Sequence, residues 1–484
     1  FTNSGTFKKT TGTGTTTFTT NSPLTVNNTS TGTIDVQSGT LAIAGGTVFN
    51  NEGLVTVAAG KTLTLSASGS GAGAGDYTLG AGAAVNLTGG TQTFTSGADI
   101  SGMGLFTVNG GTMTVSATAM SVDNLALTSG TLNGTGALTV DSALTWSSAT
   151  MSGAGSTTVG SGATLTISGS PFLSTRTFTN GSTTGVWSGT GTTFNMSGTF
   201  VNAGTLEATG DSTLQSASAT GVFTNSGTFK KTTGTGTTTF TTNSPLTVNN
   251  TSTGTIDVQS GTLAMAGGTV FNNEGLVNVA AGKTLTLSSG GSGTGAGDYT
   301  LGAGAAVNLT GGTQTFTSGA DISGMGLFTV NGGTMTVSAT AMSVDNLALT
   351  SGTLNGTGAL TVDSALTWSS ATMSGAGSTT VGSGATLTIS GSPFLSTRTF
   401  TNGSTTGVWS GTGTTFNMSG TFVNAGTLEA TGDSTLQSAS ATGVFTNSGT
   451  FKKTTGTGTT TFTTNSPLTV NNTSTGTIDV QSGT

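Results

Sequence analysis

The sequence contains no cysteine and no histidine, only five prolines, and ten Lys and Arg residues in 484. Without thiols or imidazoles there are no disulfides, no thiolate or imidazole metal ligands, and no Cys-His or Ser-His catalytic pair. Ten cations stand against 17 acids, for a formal net charge of -7 with 6% charged residues. Such a chain has no basic surface to displace counterions from phosphates, which argues against nucleic acid as a partner. No apolar run approaches the roughly 18 residues needed to span a bilayer. No stretch carries a 3.6-residue apolar period, and the helix formers Glu, Lys and Arg are scarce, so almost no helix is expected. Abundant instead is glycine, at 82 residues, without the triplet period or the proline content of collagen. Hydrophobic residues make up 32%, below a globular average, yet the low charge is the opposite of the usual disordered signature.

The chain repeats itself. Phe1-Thr2-Asn3-Ser4-Gly5-Thr6-Phe7-Lys8-Lys9 recurs from Phe223 and again from Phe445, a period of 223 − 1 = 222. The organisation is therefore a unit at 1–222, a near-identical unit at 223–444, and the start of a third at 445–484. The first two copies differ at five positions: Ile43 against Met265, Thr56 against Asn278, Ala67 against Ser289, Ser68 against Gly290, and Ala72 against Thr294. Three of these cluster in the Gly/Ser-rich stretch Ser66 to Gly75, which reads as a substitution-tolerant loop. The first residue is Phe and the last falls inside a repeat, so the sequence is expected to be a window on a longer array whose signal peptide, anchor and capping units lie outside it.

Within a unit the rhythm is two. Leu24-Thr25-Val26, Thr62-Leu63-Thr64-Leu65, Thr112-Met113-Thr114-Val115, Ala137-Leu138-Thr139-Val140 and Thr164-Leu165-Thr166-Ile167 alternate and are β-branched, as half-buried strands do. Turn residues separate them, among them Asn3-Ser4-Gly5, Asn50-Asn51-Glu52-Gly53, Asn109-Gly110-Gly111, Asn133-Gly134 and Asn202-Ala203-Gly204. Asn and Gly tolerate the left-handed backbone that sharp corners need. Asn3, Asn27, Asn50, Asn86, Asn109, Asn133, Asn180 and Asn202 mark a recurring pattern of apolar residue, Asn, small residues, Gly and apolar residue, most neighbours standing about two dozen positions apart. That spacing predicts an all-β parallel β-solenoid with coils of roughly 20–29 residues and nine or ten coils per unit. Residues repeated in every coil stack at about 4.8 Å, so a neutral Thr/Ser surface avoids stacking like charges.

Segments such as Gly39-Thr40-Leu41-Ala42-Ile43-Ala44-Gly45-Gly46-Thr47 and Gly130-Thr131-Leu132-Asn133-Gly134-Thr135-Gly136-Ala137-Leu138 resemble the β-strand repeats of large bacterial surface and secreted proteins, such as autotransporter passengers and filamentous-haemagglutinin-like adhesins. The resemblance covers the whole chain and is compositional. It implies a right-handed solenoid, export, and a role in adhesion, biofilm matrix or a surface filament. The partners it implies are the chain itself, end to end or in lateral bundles, and surface glycans or neighbouring cells.

Candidate chemistry is sparse. Each unit carries Asp35, Glu52, Asp76, Asp99, Asp123, Asp141, Glu207 and Asp211, with Lys8, Lys9, Lys61 and Arg176. Polysaccharide-cleaving β-helices gather acids and cations on one face, and Asp123 with Asp141, or Glu207 with Asp211, are the pairs to test. Isolated surface acids are the simpler reading, and no catalytic, cofactor or metal residue is assigned. Gly71-Ala72-Gly73-Ala74-Gly75-Asp76-Tyr77 lacks the Gly-x-Asp spacing and tandem copies of a calcium-binding β-roll. Thr15-Thr16-Thr17, Thr91-Gln92-Thr93 and Thr112-Met113-Thr114 raise ice binding, which requires register between coils. Trp146, Trp187 and Tyr77 would stack on glycans if exposed, whereas Phe49, Phe106 and Phe178 sit in alternating strands and are expected to be core. Asn28, Asn86, Asn180 and Asn195 fall in Asn-x-Ser/Thr triplets, as chance allows in so Asn/Thr-rich a chain. The leading expectation is a non-enzymatic extracellular fibre. The alternatives are a carbohydrate-binding or carbohydrate-cleaving β-helix and an ice-binding solenoid.

Overall fold

The computed structural model describes all residues except 71–74, 96, 117–118, 293–296, 318 and 339–340. It contains two compact units, one of Phe1–Gly234 with Thr241–Thr247 and one of Thr235–Phe240 with Val248–Thr484. Each is a parallel β-solenoid, and no helix occurs among the described residues. Strands of typically four residues alternate outward and inward. In Thr33–Val36, Ile34 and Val36 are buried while Thr33 and Asp35 face out.

In the first unit each coil contributes strands to three faces, and every strand pairs in register with the strand one coil on. Thr2–Asn3, Leu24–Asn28 and Thr47–Asn51 begin the first face. Thr6–Lys9, Thr33–Val36 and Leu54–Val57 begin the second. Thr15–Phe18, Thr40–Ile43 and Thr62–Leu65 begin the third. In-register pairing stacks like on like. Leu41, Leu63, Val85, Phe106, Leu125, Leu144 and Leu165 form one buried column up the third face, each side chain contributing about 1.5–3 kcal/mol of burial. The second unit builds the matching column from Leu263 to Leu387.

Coil length varies. The shortest step from one coil to the next leads from Ala119 to Ala137, and the longest from Thr6 to Thr33. Both limits lie below those expected from the sequence. The short coils arise where Ala119–Leu127 and Ala137–Trp146 each run on from the second face to the third, with a register shift between Val122 and Asn124 in place of a separate turn.

The asparagines are not the left-handed corners expected of them. Every described residue with positive φ is glycine. Asn3, Asn28 and Asn51 instead point inward at strand ends. Asn3 Nδ2 donates to Asn28 Oδ1 at 2.8 Å and to Thr33 O at 2.9 Å, and Asn28 Nδ2 donates to Asn51 Oδ1 at 2.8 Å. A second ladder joins Asn180, Asn202 and Asn225 on the second face at 2.8 and 2.7 Å. In the other unit Asn402, Asn424, Asn447 and Asn472 form four rungs. Asn27 and Asn50 belong to a half-buried companion ladder at 2.9 Å, while Asn86, Asn109 and Asn133 lie outside the buried ones. Close approach explains the glycines two residues after Asn51, Asn202 and Asn225. A Cβ on Gly204 would collide with Ser182 O.

The stretch from Ser66 is not a loop as far as Ser70. Gly69–Ser70 pairs with Gln92 and Thr93, and Ser68 bridges to Val48, so the first face is carried through it. Gly69 is fixed by contact, since a Cβ there would run into the Phe49 carbonyl. Ala67 is fully buried, and its counterpart Ser289 buries a hydroxyl with no hydrogen-bond partner, a cost of about 1–3 kcal/mol. The copies thus differ at a packed position. Ala72 and Thr294 lie outside the described residues.

Asn202→Ala removes the middle rung and orphans its neighbours. The expected outcome is a local loss of about 2 kcal/mol, read by hydrogen exchange as roughly thirtyfold faster opening of Thr177–Asn180 and Gly221–Asn225, with distant coils unchanged.

Candidate functional site

The sequence offers two candidate assemblies, the acids and the aromatics. Stacking brings Asp99 over Asp76 and Asp141 one coil beyond Asp123 on the second face, while the residue in register with Asp99 is Ser121. Asp76 Oδ1 accepts from Asp99 N at 3.1 Å, Ser121 Oγ donates to Asp99 Oδ1, and Asp123 Oδ2 accepts from Gly102 N at 2.6 Å. Gly102 must be glycine, because its φ is +106° and a Cβ would collide with Leu79 O. Partial burial first, then the charges of Asp123 and Asp99, hold the Asp141 carboxyl above its usual range. Asp345 and Asp321 do the same to Asp363 in the second unit, behind burial as the larger cause.

Asp123 and Asp141 therefore do lie one coil apart, but no arginine or lysine among the described residues forms an ion pair with either. Arg176, the only arginine of the repeat, is fully buried instead. Its Nε donates to Thr157 Oγ1 at 2.7 Å. One Nη donates to Gly134 O at 3.1 Å and Ser152 O at 3.4 Å, and the other to Gly136 O at 2.9 Å and Ser156 O at 2.7 Å. All five N–H donors are thus used on the two preceding coils. Gly155 leaves the channel open, since a Cβ there would stand 2.9 Å from Nη1. Burial pulls the guanidinium down to about 10, so it stays charged at neutral pH. It is an internal staple, and Arg398 repeats it in the second unit.

Glu207 and Asp211 are engaged separately by residues of the next coil, Glu207 by a threonine hydroxyl and Asp211 by a lysine. Glu207 stands in register with Lys230 and accepts from Thr232 Oγ1 at 2.6 Å, while Asp211 pairs with buried Lys231 at 2.8 Å. In the second unit Glu429, Lys452 and Asp479 stack as acid, base, acid, with Lys452 Nζ 3.2 Å from Glu429. The Thr454 hydroxyl and then Lys452 hold the Glu429 carboxyl below its usual range. Lys8 reaches Asp35 at 3.8 Å. Charges on neighbouring coils here alternate in sign, the arrangement that cross-strand electrostatics favours. Among the described residues no group of three or more acids is placed to hold a metal. Four residues of the calcium-like stretch, 71–74, lie outside the description.

The aromatics are core. Tyr77, Trp146, Trp187, Phe49, Phe106 and Phe178 are all buried. Ring centroids stand 4.9 Å apart for Phe178 and Phe200 and 5.1 Å apart for Trp146 and Phe194, an edge-and-tilt stacking that adds to burial. Burial pushes the Tyr77 phenol up. None of these rings is available to stack on a glycan. Of the Asn-x-Ser/Thr triplets, Asn28 and Asn180 are closed ladder rungs, while Asn86 and Asn195 sit half-buried in strands.

The threonines show more register than their irregular sequence spacing suggests. Thr91, Thr112, Thr131 and Thr150 stack, flanked by Thr93 over Thr114, and Phe172 ends the row. A pocket of about 320 Å³ in the second unit, lined by Phe445, Phe451, Phe462, Val470 and Ile478, is the uncovered side of the last coil's apolar column. Reading from sequence missed the Asn ladders and the Arg176 staple. Their signals were present in the Asn-x-Gly spacing and in the Gly134-x-Gly136 and Gly153-x-Gly155 pairs beneath Arg176.

Compared with models of known protein families and with curated proteins, the sequence matches none. No helix among the described residues is long and apolar enough to cross a membrane.

The staple and the second-face acids can each be tested by substitution. Arg176→Ala should cost about 3 kcal/mol, from lost charge-assisted hydrogen bonds, seen as faster exchange in Thr131–Asn133 and Thr150–Met151. Arg176→Lys should rescue less than half, since an ammonium has three donors and no fork. Asp141 is held above its unfolded range, so its ionised form opposes folding and the fold gains stability as pH falls through that raised value. Asp141→Asn should therefore raise the thermal midpoint at pH 7, with the gain over the parent chain vanishing in acid.

Proposed function

We propose that this chain is a non-enzymatic extracellular structural fibre built of tandem β-solenoid units, one for each copy of the sequence repeat, serving as surface filament, stalk or adhesin spacer. The observation that carries the reading is the junction between copies. In the first unit, Thr199–Asn202 near the end of one copy pairs in register with Gly221–Asn225, which opens the next. In the second unit, Thr421–Asn424 and Gly443–Asn447 make the same junction. Whole copies can thus be added without altering a coil, and copy number sets length.

The polar residues support the same reading. The arginine, the ladder asparagines and the lysines Lys8, Lys231, Lys452 and Lys453 hold coils together, and Tyr77, Trp146 and Trp187 are inside. The place outside the cell, and the link to adhesion or biofilm, rest on the resemblance of the Thr/Gly/Asn-rich coils to bacterial surface repeats. Low charge supports it too, because it leaves few sites for trypsin-like proteases.

The test inserts one further copy of residues 1–222 before Phe223 and measures contour length by electron microscopy, beside a saccharide array and a polysaccharide digest. At about 4.8 Å per coil, the insertion should lengthen the particle by about 50 Å, with no binding and no reducing ends released. Unchanged length, or turnover of a polysaccharide, would overturn the proposal.

A further inference from the structure

The repeat in the sequence and the turn of the solenoid are not commensurate. In the first unit, ten ladder steps lead along the first face from Thr2–Asn3 to Thr213–Ser216. The chain then turns one more corner before its sequence restarts. Thr224 and Asn225, which copy Thr2 and Asn3, lie on the second face above Val201 and Asn202. Likewise Thr6–Lys9 lies on the second face, whereas its copy Thr228–Lys231 lies on the third, above Thr205–Ala208.

The second unit shows the same advance by itself. Ten steps carry the ladder from Thr255–Val258 to Leu468–Asn472. Thr477–Val480, the copy of Thr255–Val258, stands on the neighbouring ladder above Thr450–Lys453. In both units one sequence repeat spans ten coils and one face.

We infer that each copy presents its surface one face further round than the copy before it, so that a feature occurring once per copy is displayed on all three faces in turn and returns to its starting face after three copies. This rests on the reading of the chain as a tandem fibre. A copy of a whole number of coils would line up every copy's second-face acids, and every exposed residue such as Met103 (79% exposed), along one side only. One extra face distributes them, so the fibre is multivalent to a partner or to a second copy of the chain from any direction. Lateral contact then builds a bundle, not a one-sided sheet. The advance also explains why outward residues are so uniformly Thr and Ser. The same segment must serve on all three faces, and a neutral β-branched residue fits each.

The absence of native cysteine makes the test direct. In the full chain, three double variants are treated with dibromobimane, which fluoresces only when it bridges two close thiols. Thr179→Cys with Val201→Cys lies within one copy and reports the solenoid itself. Glu207→Cys with Lys230→Cys is adjacent only if the second copy starts one face on. Val201→Cys with Lys230→Cys is adjacent only if the copy spans a whole number of coils. The inference expects a several-fold fluorescence gain for the first two pairs and none for the third. Gain in the third pair, or in the control alone, overturns the advance and leaves the solenoid standing. Loss of the control overturns the solenoid reading beneath it.

Discussion

The parallel ladder between coils is the constraint from which the rest follows. Because pairing is in register at about 4.8 Å, each residue's principal neighbour is the residue one coil away on the same face. A side chain is therefore tolerated only if it packs against its own kind or a matched complement. Leu, Val and Phe satisfy this inside as a continuous column, and Thr and Ser satisfy it outside. Lysine and acid satisfy it as Lys8 over Asp35 or as Glu429, Lys452 and Asp479 in series. Where acid follows acid, at Asp123 and Asp141, partial burial and then the neighbouring carboxylates raise the proton affinity of Asp141.

The same rule turns buried polar groups from a liability into connectors. A lone buried asparagine would carry unsatisfied donors and acceptors. Stacked asparagines satisfy each other, the Nδ2 groups of Asn3, Asn28, Asn180 and Asn202 each dividing their hydrogens between the next Oδ1 and a backbone carbonyl. Arg176 solves a harder case. Its charge is met not by a carboxylate but by four backbone carbonyls and a threonine hydroxyl drawn from the two preceding coils, in a channel that glycines keep open. These devices tie coils together along the solenoid axis.

The phase between repeat and turn gives near-identity of the copies a structural meaning. With an extra face in every repeat, each segment must fit all three faces. A substitution useful on one face has to be acceptable on the others. Even so, the copies differ at packed positions such as Ile43 and Met265, and Ala67 and Ser289. Those pairs conserve approximate volume, which the columns demand, while the buried hydroxyl of Ser289 goes without a partner.

Period-two runs of Thr with Leu, Val or Ile, the long sequence recurrence and the lack of helix formers determined the strands, the solenoid and the burial of Phe49, Phe106 and Phe178, because alternation and stacking are local properties of the chain. What asparagine does was decided by tertiary structure. Asn-x-Gly reads as a turn until the coil beneath supplies another asparagine at hydrogen-bonding distance and a carbonyl where a Cβ would have been. Arg176 is in the sequence only one of four cations per unit, and only the coils one and two below it reveal an interior lined with acceptors. Register between coils of unequal length decided which acids stand together and on which face each copy begins, since that depends on the summed lengths of all the corners before it.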